Sequence, residues 1–439
     1  MRLVARVGVL SHARGNARPA AATAPSPQPK ALDLRSQTAP DPQTPVWRIV
    51  AYRRLWLATM VMTLANECER LAIAWIVLVK TDSVFLTALS FAVRKAPTTL
   101  VAPVAGEISD RMPRSRLLAA TALYKAVVVA ALGAITVSGS ENMPWLFVLV
   151  ACSGLSRPFE VSGTQGLITD LVPQRGAMRA LALQSTGAKT VGAIGSLVGG
   201  LAIAGFGTAV PLFGGAALFV VAAAAMTTIP STPRDSHAPI SFHPRILLEA
   251  VGALAQLARR PVVGALLLTA FVVEIFGFAF GAVMPSLARD VLGADVRGLG
   301  ALSFMLGLGA VAGMAALAML GNPSRKGLLL TAVTVCYGLT LVAFAASGVF
   351  AVSLAIVMGV GAMAALFDAI QWTLLQQYVP DDQRGRVIAG WVFAISFGWV
   401  GQVALGATSQ AFGVQWALAS AGTLVVLVGL LAFRHLRTR

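Results

Sequence analysis

Charge is scarce in this chain: Asp, Glu, Lys and Arg make up 12% of its 439 residues, against 57% hydrophobic side chains. A soluble domain of this length covers itself with roughly 25% charged residues. That covering is missing, and a mean hydropathy of +0.77 fits a chain whose solvent is lipid. Acidic residues are the scarcer sign, 18 against 34 basic, which leaves a formal charge of +16. The basic residues sit between apolar blocks and not on one clustered face. This excludes nucleic acid as a partner and suits basic loops along a membrane. Cysteine is rare as well. Cys68, Cys152 and Cys336 fall inside apolar blocks without a CxxC pair, so neither a disulfide framework nor a metal site is expected. The four histidines, His12, His237, His243 and His435, lie in polar segments or the tail. With no phosphate loop and no HExxH segment, neither an enzyme nor a cofactor is expected.

What is present is a series of apolar blocks of the roughly 20 residues that cross a bilayer core. The first six expected spans are Leu55–Val79, Val84–Val104, Leu117–Val137, Trp145–Ile168, Leu181–Ala204 and Ala209–Ile229. The second six are Val262–Leu287, Leu299–Leu320, Leu328–Ala346, Phe350–Gln376, Val387–Gln410 and Val414–Phe433. The fold class is therefore all-α: a polytopic membrane protein of twelve helices in two six-helix bundles. The bundles occupy residues 47–229 and 261–433. Residues 230–260 form a polar linker with Arg234, Asp235, His237, His243 and Arg245, and 434–439 a short tail. Residues 1–46 are rich in Ala, Pro and Arg and are expected to be a disordered cytoplasmic tail or a misassigned start; their opening stretch, short and interrupted by Arg6, is not expected to act as a signal peptide.

One set of loops carries Arg111, Arg114, Arg116, Arg175, Arg179, Arg234, Arg245, Arg259, Arg260, Arg325, Lys326, Arg384 and Arg386, and the other only Lys80, Arg289 and Arg297. The richer set is expected in the cytoplasm, with both termini there and the protein in the inner membrane. A weak internal repeat supports a 6+6 plan: the fourth span leaves through Leu171-Val-Pro-Gln-Arg-Gly176 and the tenth through Tyr378-Val-Pro-Asp-Asp-Gln-Arg-Gly385.

Between the second and third spans stands Gly106-Glu-Ile-Ser-Asp110-Arg111-Met-Pro-Arg114-Ser-Arg116. It resembles the cytoplasmic loop signature of the major facilitator superfamily, with Pro113 in place of the second motif glycine and Ser115 in place of a basic residue. Tyr52-Arg-Arg-Leu-Trp56, Val172-Pro173 and Asp382-Gln-Arg-Gly-Arg-Val387 are similar to the drug, macrolide and siderophore exporter branch. The resemblance implies a gate. Gly106 would let the second span approach a neighbour, Asp110 would cap the eleventh span, and Arg111 and Arg114 would hold carboxylates or lipid phosphates.

Ionisable residues at bilayer depth are costly and are usually functional. Glu67, Glu274 and Asp368 are the candidate proton-coupling acids. Glu67 and Arg70, three apart, can pair, while Glu69 faces another side of the same helix. Glu274 has no basic residue within a helical turn, which makes it the expected resting proton carrier. Arg70, Arg94, Lys125, Arg157 and Lys189 are the candidate cavity residues. Arg157 and Glu160, beside Pro158, can also pair, and Lys95 is expected to snorkel or pair. The first half is cationic at depth and the second is largely apolar with two acids, which suits an amphiphilic or anionic small molecule.

Gly195/Gly199 in the fifth span and Gly309/Gly313 in the eighth are Gly-x-x-x-Gly pairs that let helix backbones touch. By resemblance, these two spans meet between the halves. The fifth span also resembles an exporter signature, with Ser196 where that signature has proline. The implied function is proton-coupled export of a small amphiphile by a monomer through alternating access. Uptake, lipid flipping, and a non-transporting scaffold or sensor are the alternatives.

Overall fold

The computed structural model describes residues 45–139, 142–230, 252, 259–321, 323, 325–378 and 396–436. Most of the tail and linker, and the start of the eleventh span with Asp382–Val387, lie outside the described residues. So does the point where Asp110 was expected to cap that span. Among the described residues there is no strand. The first-half helices are α1 (Val50–Thr81), α2 (Val84–Arg111), α3 (Arg114–Ser138), α4 (Met143–Leu155), α5 (Arg157–Leu171), α6 (Gln174–Phe206) and α7 (Ala209–Thr227). The second-half helices are α8 (Pro261–Val272), α9 (Phe280–Ser286), α10 (Val296–Leu320), α11 (Lys326–Ala346), α12 (Phe350–Tyr378), α13 (Gly398–Phe412) and α14 (Val414–Leu436).

Among the described residues, eight stretches are long and apolar enough to cross a membrane: α3, α6, α7, the α8–α9 run Pro261–Val291, α10, α11, α12 and α14. The α2 helix, bent by 56° between Thr99 and Val104, makes a ninth if counted as one span. Charges Glu67, Glu69 and Arg70 break the apolar run of α1, which nonetheless is helical for 32 residues. The fourth span is split into α4 and α5 at Ser156, just before Pro158, because proline has no N–H to continue the helix. This arrangement is the all-α, membrane-spanning fold expected, and it is consistent with twelve spans.

Local chemistry fixes the helix ends. Ser83 caps α2 by accepting the Leu86 N–H at 3.2 Å. Asp295 caps α10, accepting the N–H groups of Arg297 and Gly298 at 3.0 and 3.1 Å. Asp82 ends α1 in the left-handed region at φ 48°, a conformation Asp tolerates better than most residues. The α8–α9 run is not a plain helix: two π-helical turns, Val273–Gly277 and Leu287–Val291, flank α9. Such turns often mark functional positions, and the first contains Glu274.

Within the first half, α1 packs on α6 and α7, and α3 on α7; within the second, α10 packs on α12, and α11 on α14. Two seams join the halves, α6 against α10 and α2 against α13 and α9. The first seam is glycine-built: a Cβ on Gly200 would lie 2.8 Å from the Val296 carbonyl and 3.0 Å from Gly300 Cα. The named Gly-x-x-x-Gly pairs do something else. Gly195 and Gly199 face Leu64, Glu67 and Cys68 of α1, while Gly309 and Gly313 face the backbone at Met358 and Ala362 of α12. The expectation that these four build the seam is thus corrected. They hold each half together, and their neighbours Gly200, Gly300 and Gly307 join the halves.

Candidate functional site

Three sets of charges lie at bilayer depth. The first is sealed inside the first half. Glu69 of α1 is 0% exposed and Lys125 of α3 is 1% exposed. Lys125 Nζ lies 3.1 Å from Glu69 Oε2 and Arg94 Nη2 3.4 Å, and the Ser153 hydroxyl donates to the other Glu69 oxygen. Lys125 also donates to Asn66 Oδ1 at 2.6 Å and sits 5.5 Å above the Phe219 ring. Asn66 Nδ2 reaches Glu160 at 3.4 Å, and Glu160 in turn accepts from Ser156 at 3.1 Å and Arg157 at 3.4 Å. Five helices, α1 to α5, are laced together in this way, with each buried charge compensated. Lys125, expected on a cavity wall, is therefore inside the bundle. Its α3 position faces α1 and α7, so its chain never reaches the space between halves. Glu69, absent from the expected site, is the centre of this network. The signal available in the sequence was charges at matching depth on neighbouring spans, Glu69, Arg94 and Lys125.

The second set faces the seam. Glu67 and Arg70 pair at 2.6 Å as their spacing predicts, each about one quarter exposed. Ser196 donates to Glu67 at 3.2 Å and accepts from Arg70 at 3.3 Å. Arg70 and Arg94 line a recess with Ile73, Ser90 and Phe91.

The third set spans the halves. Lys95 Nζ of α2 lies 2.6 Å from Glu274 Oε1 in the first π-helical turn. The expectation that Glu274 rests without a cationic neighbour is corrected: its partner comes from the other half, 179 residues away, where spacing along one helix cannot reveal it. Gly398 of α13 abuts both side chains. Asp368 of α12 is exposed and lies within electrostatic range of Lys189, Lys95 and Glu274. Tyr337, fully buried on α11, shares range of Asp368 and Glu274, and its hydroxyl has no hydrogen-bond partner among the described residues. Arg157 is the outlier, with its side chain 62% exposed.

One end of the seam is closed. Arg289 bonds Asp82 at 2.6 Å and the Leu78 carbonyl at 3.1 Å, tying the end of the seventh span to the end of α1. Gln410 of α13 accepts from Ser83 and from the Phe85 N–H, both at 3.2 Å. Farther along, Thr99 donates to the Ser396 carbonyl at 3.0 Å.

The signature loop is organised by Arg114. It donates to the Gly166 carbonyl at 2.6 Å and pairs with Asp110 and Asp170, both at 2.8 Å. Arg111 pairs with Glu107 at 2.6 Å. Among the described residues, nothing lies within 4 Å of a Cβ placed on Gly106, so a close helix approach there is not seen. Because Arg114 is nine-tenths buried, we expect Arg114→Ala to remove charge-assisted bonds worth about 1.5–3 kcal/mol each. The purified variant should melt several degrees lower, with Arg114→Lys recovering part of the loss. An unchanged melting temperature in Arg114→Ala would remove this anchoring role.

This is the fold and charge layout of a multi-pass membrane transporter of the major facilitator type. The chain belongs to the transmembrane secretion effector family of that superfamily, matching it over residues 42–438. It is 28% identical over 235 residues to multidrug resistance protein MdtG of Proteus mirabilis (strain HI4320), a match covering 53% of this chain. The match spans 54% of that relative's own length. Solved structures share the fold: a bacterial homolog of the human lysosomal transporter Spinster in an inward-facing, unoccupied conformation has a TM-score of 0.67 at 14% identity, covering 89% of this chain and 98% of that one. The peptide transporter POT has 0.68 at 11%, covering 87% and 93%. The nucleoside transporter NupG has 0.66 at 11%, covering 88% and 98%. The family match thus makes the chain a membrane transporter of the major facilitator type.

Proposed function

We propose that this transporter exports a small amphiphilic compound in exchange for protons, by alternating access of two halves, residues 47–229 and 261–433. The observation carrying this reading is the Lys95–Glu274 pair, which ties the halves together at bilayer depth. A proton arriving on Glu274 discharges the carboxylate, dissolves the tie and frees the halves to rock. Protonation and conformation are then one event, as coupled transport requires. Export is the direction suggested by the multidrug resistance protein to which half of the chain is similar. Energised inside-out vesicles carrying the protein should accumulate a fluorescent amphiphile, and collapsing the proton gradient should abolish this. Accumulation indifferent to the gradient would remove proton coupling, and accumulation only in right-side-out vesicles would reverse the direction.

The excess of arginine in one set of loops supports a reading with both termini in the cytoplasm of an inner membrane. The end closed by Asp82 and Arg289 is then the outer end, and the structure corresponds to an outwardly closed state. A membrane-impermeant thiol reagent applied outside intact cells should label Arg297→Cys and not Arg325→Cys, both exposed positions. The opposite pattern would invert this topology.

A further inference from the structure

Among the described residues, Lys189 of α6 and Asp368 of α12 make neither a hydrogen bond nor an ion pair. The other charges at this depth, Glu67 with Arg70, Glu69 with Arg94 and Lys125, Glu160 with Arg157, and Lys95 with Glu274, are all paired. Lys189 and Asp368 belong to opposite halves and lie within electrostatic range of each other. Asp368 is exposed and Lys189 partly so, so both side chains are open to an occupant.

Charge decides what that occupant is. A cation held by Asp368 leaves the Lys189 ammonium uncompensated at bilayer depth, and an anion held by Lys189 leaves the Asp368 carboxylate so. Either leftover is costly. A molecule carrying both a cationic and an anionic group satisfies both walls and adds no net charge to a low-dielectric site. We propose that Lys189 and Asp368 form the two ends of a binding site for a zwitterionic amphiphile, with Asp368 holding its cationic group and Lys189 its anionic group. This deepens, and rests on, the transport reading above. It gives Asp368 to the substrate and leaves Glu274 for the proton. The apolar part of such a ligand would lie along the seam.

Three probes share one skeleton and differ only in charge: phenylalanine, 2-phenylethylamine and 3-phenylpropionate. Binding of each to the full chain in nanodiscs is measured by calorimetry, with no gradient present. The wild-type protein should prefer phenylalanine over both single-charge probes by about tenfold, roughly one charge-assisted bond. Lys189→Met should move the preference to 2-phenylethylamine, and Asp368→Asn should move it to 3-phenylpropionate. These opposite shifts distinguish a ligand site from a mere loss of fold, which would weaken all three probes together. No preference for the zwitterion in the wild type, or no binding of any probe, overturns the assignment. It also falls if both variants keep the wild-type order, as a gate pair that never meets ligand would. Because the measurement needs neither gradient nor turnover, it can fail while proton-driven export stands, and succeed while coupling fails.

Discussion

Replacing Lys125 by Met should leave little folded protein. The substitution keeps the length of the side chain and removes its charge, so Glu69, 0% exposed, loses the ammonium 3.1 Å away. Arg94 remains, but at 3.4 Å, and Asn66 Oδ1 loses its 2.6 Å donor. Breaking one partner out of a buried ion pair typically costs about 3–5 kcal/mol, a large share of the roughly 5–15 kcal/mol that hold a domain folded. The desolvation cost of the orphaned carboxylate dominates this figure, and the packing change is minor. Removing both partners should therefore hurt less. The double variant Lys125→Met/Glu69→Gln is expected to recover most of the loss, since an uncharged replacement of a buried pair is often close to neutral. Thermal unfolding of the detergent-purified proteins measures all three. If Lys125→Met melts as the wild type does, or if the double variant is worse than the sum of the singles, the network is not what holds the first half.

That network also marks the limit of what could be read from residues in order. The spans were legible because membrane helices advertise themselves as apolar blocks, and the break of the fourth span at Ser156 is one that Pro158 foretells. Pairs within one helix were legible too: the Glu67–Arg70 and Arg157–Glu160 spacings predict the bonds observed at 2.6 and 3.4 Å. A helical wheel further separates Glu67 from Glu69, and the structure puts them on different faces as that geometry demands, one toward the seam and one toward the bundle interior. What the wheel cannot supply is the partner. Glu69 meets residues 25 and 84 positions away, and Glu274 meets one 179 away. Their pairing depends on the rotation of α2 and α3 against α1, and of α2 against the seventh span, which packing alone sets. The same holds for glycine. Spacing in α6 and α10 predicts close contact but not with which neighbour, and one residue of rotation separates Gly199, which faces α1, from Gly200, which faces α10.

Glu274→Gln is expected to abolish gradient-driven transport while leaving exchange of bound substrate across the membrane intact. The amide can neither take up a proton nor ion-pair with Lys95, so the halves lose both the signal and the tie it acts on. The pair is part-exposed, Lys95 by 35% and Glu274 by 17%, so screening holds its worth well below that of a sealed pair. A coupling free energy of about 1–3 kcal/mol, equal to roughly 5–150-fold between conformers, is still ample to link a proton to a rocking motion. If the tie and not the carboxylate alone matters, Lys95→Met should uncouple transport equally, and the double variant should be no worse than either single, the mark of two residues acting through one bond. A third variant removes the bond without touching a charge. Gly398 lies so close to Lys95 Nζ and Glu274 Oε1 that a methyl group there would overlap both, so Gly398→Ala should push the pair apart and reproduce the uncoupling with both ionisable groups present. Proton-driven uptake and counterflow, measured side by side in proteoliposomes, separate these cases. Coupling that survives in Lys95→Met but not in Glu274→Gln would make the carboxylate a proton site independent of the tie. A Glu274→Gln protein that still concentrates substrate against its gradient, with normal pH dependence, would take Glu274 out of coupling altogether.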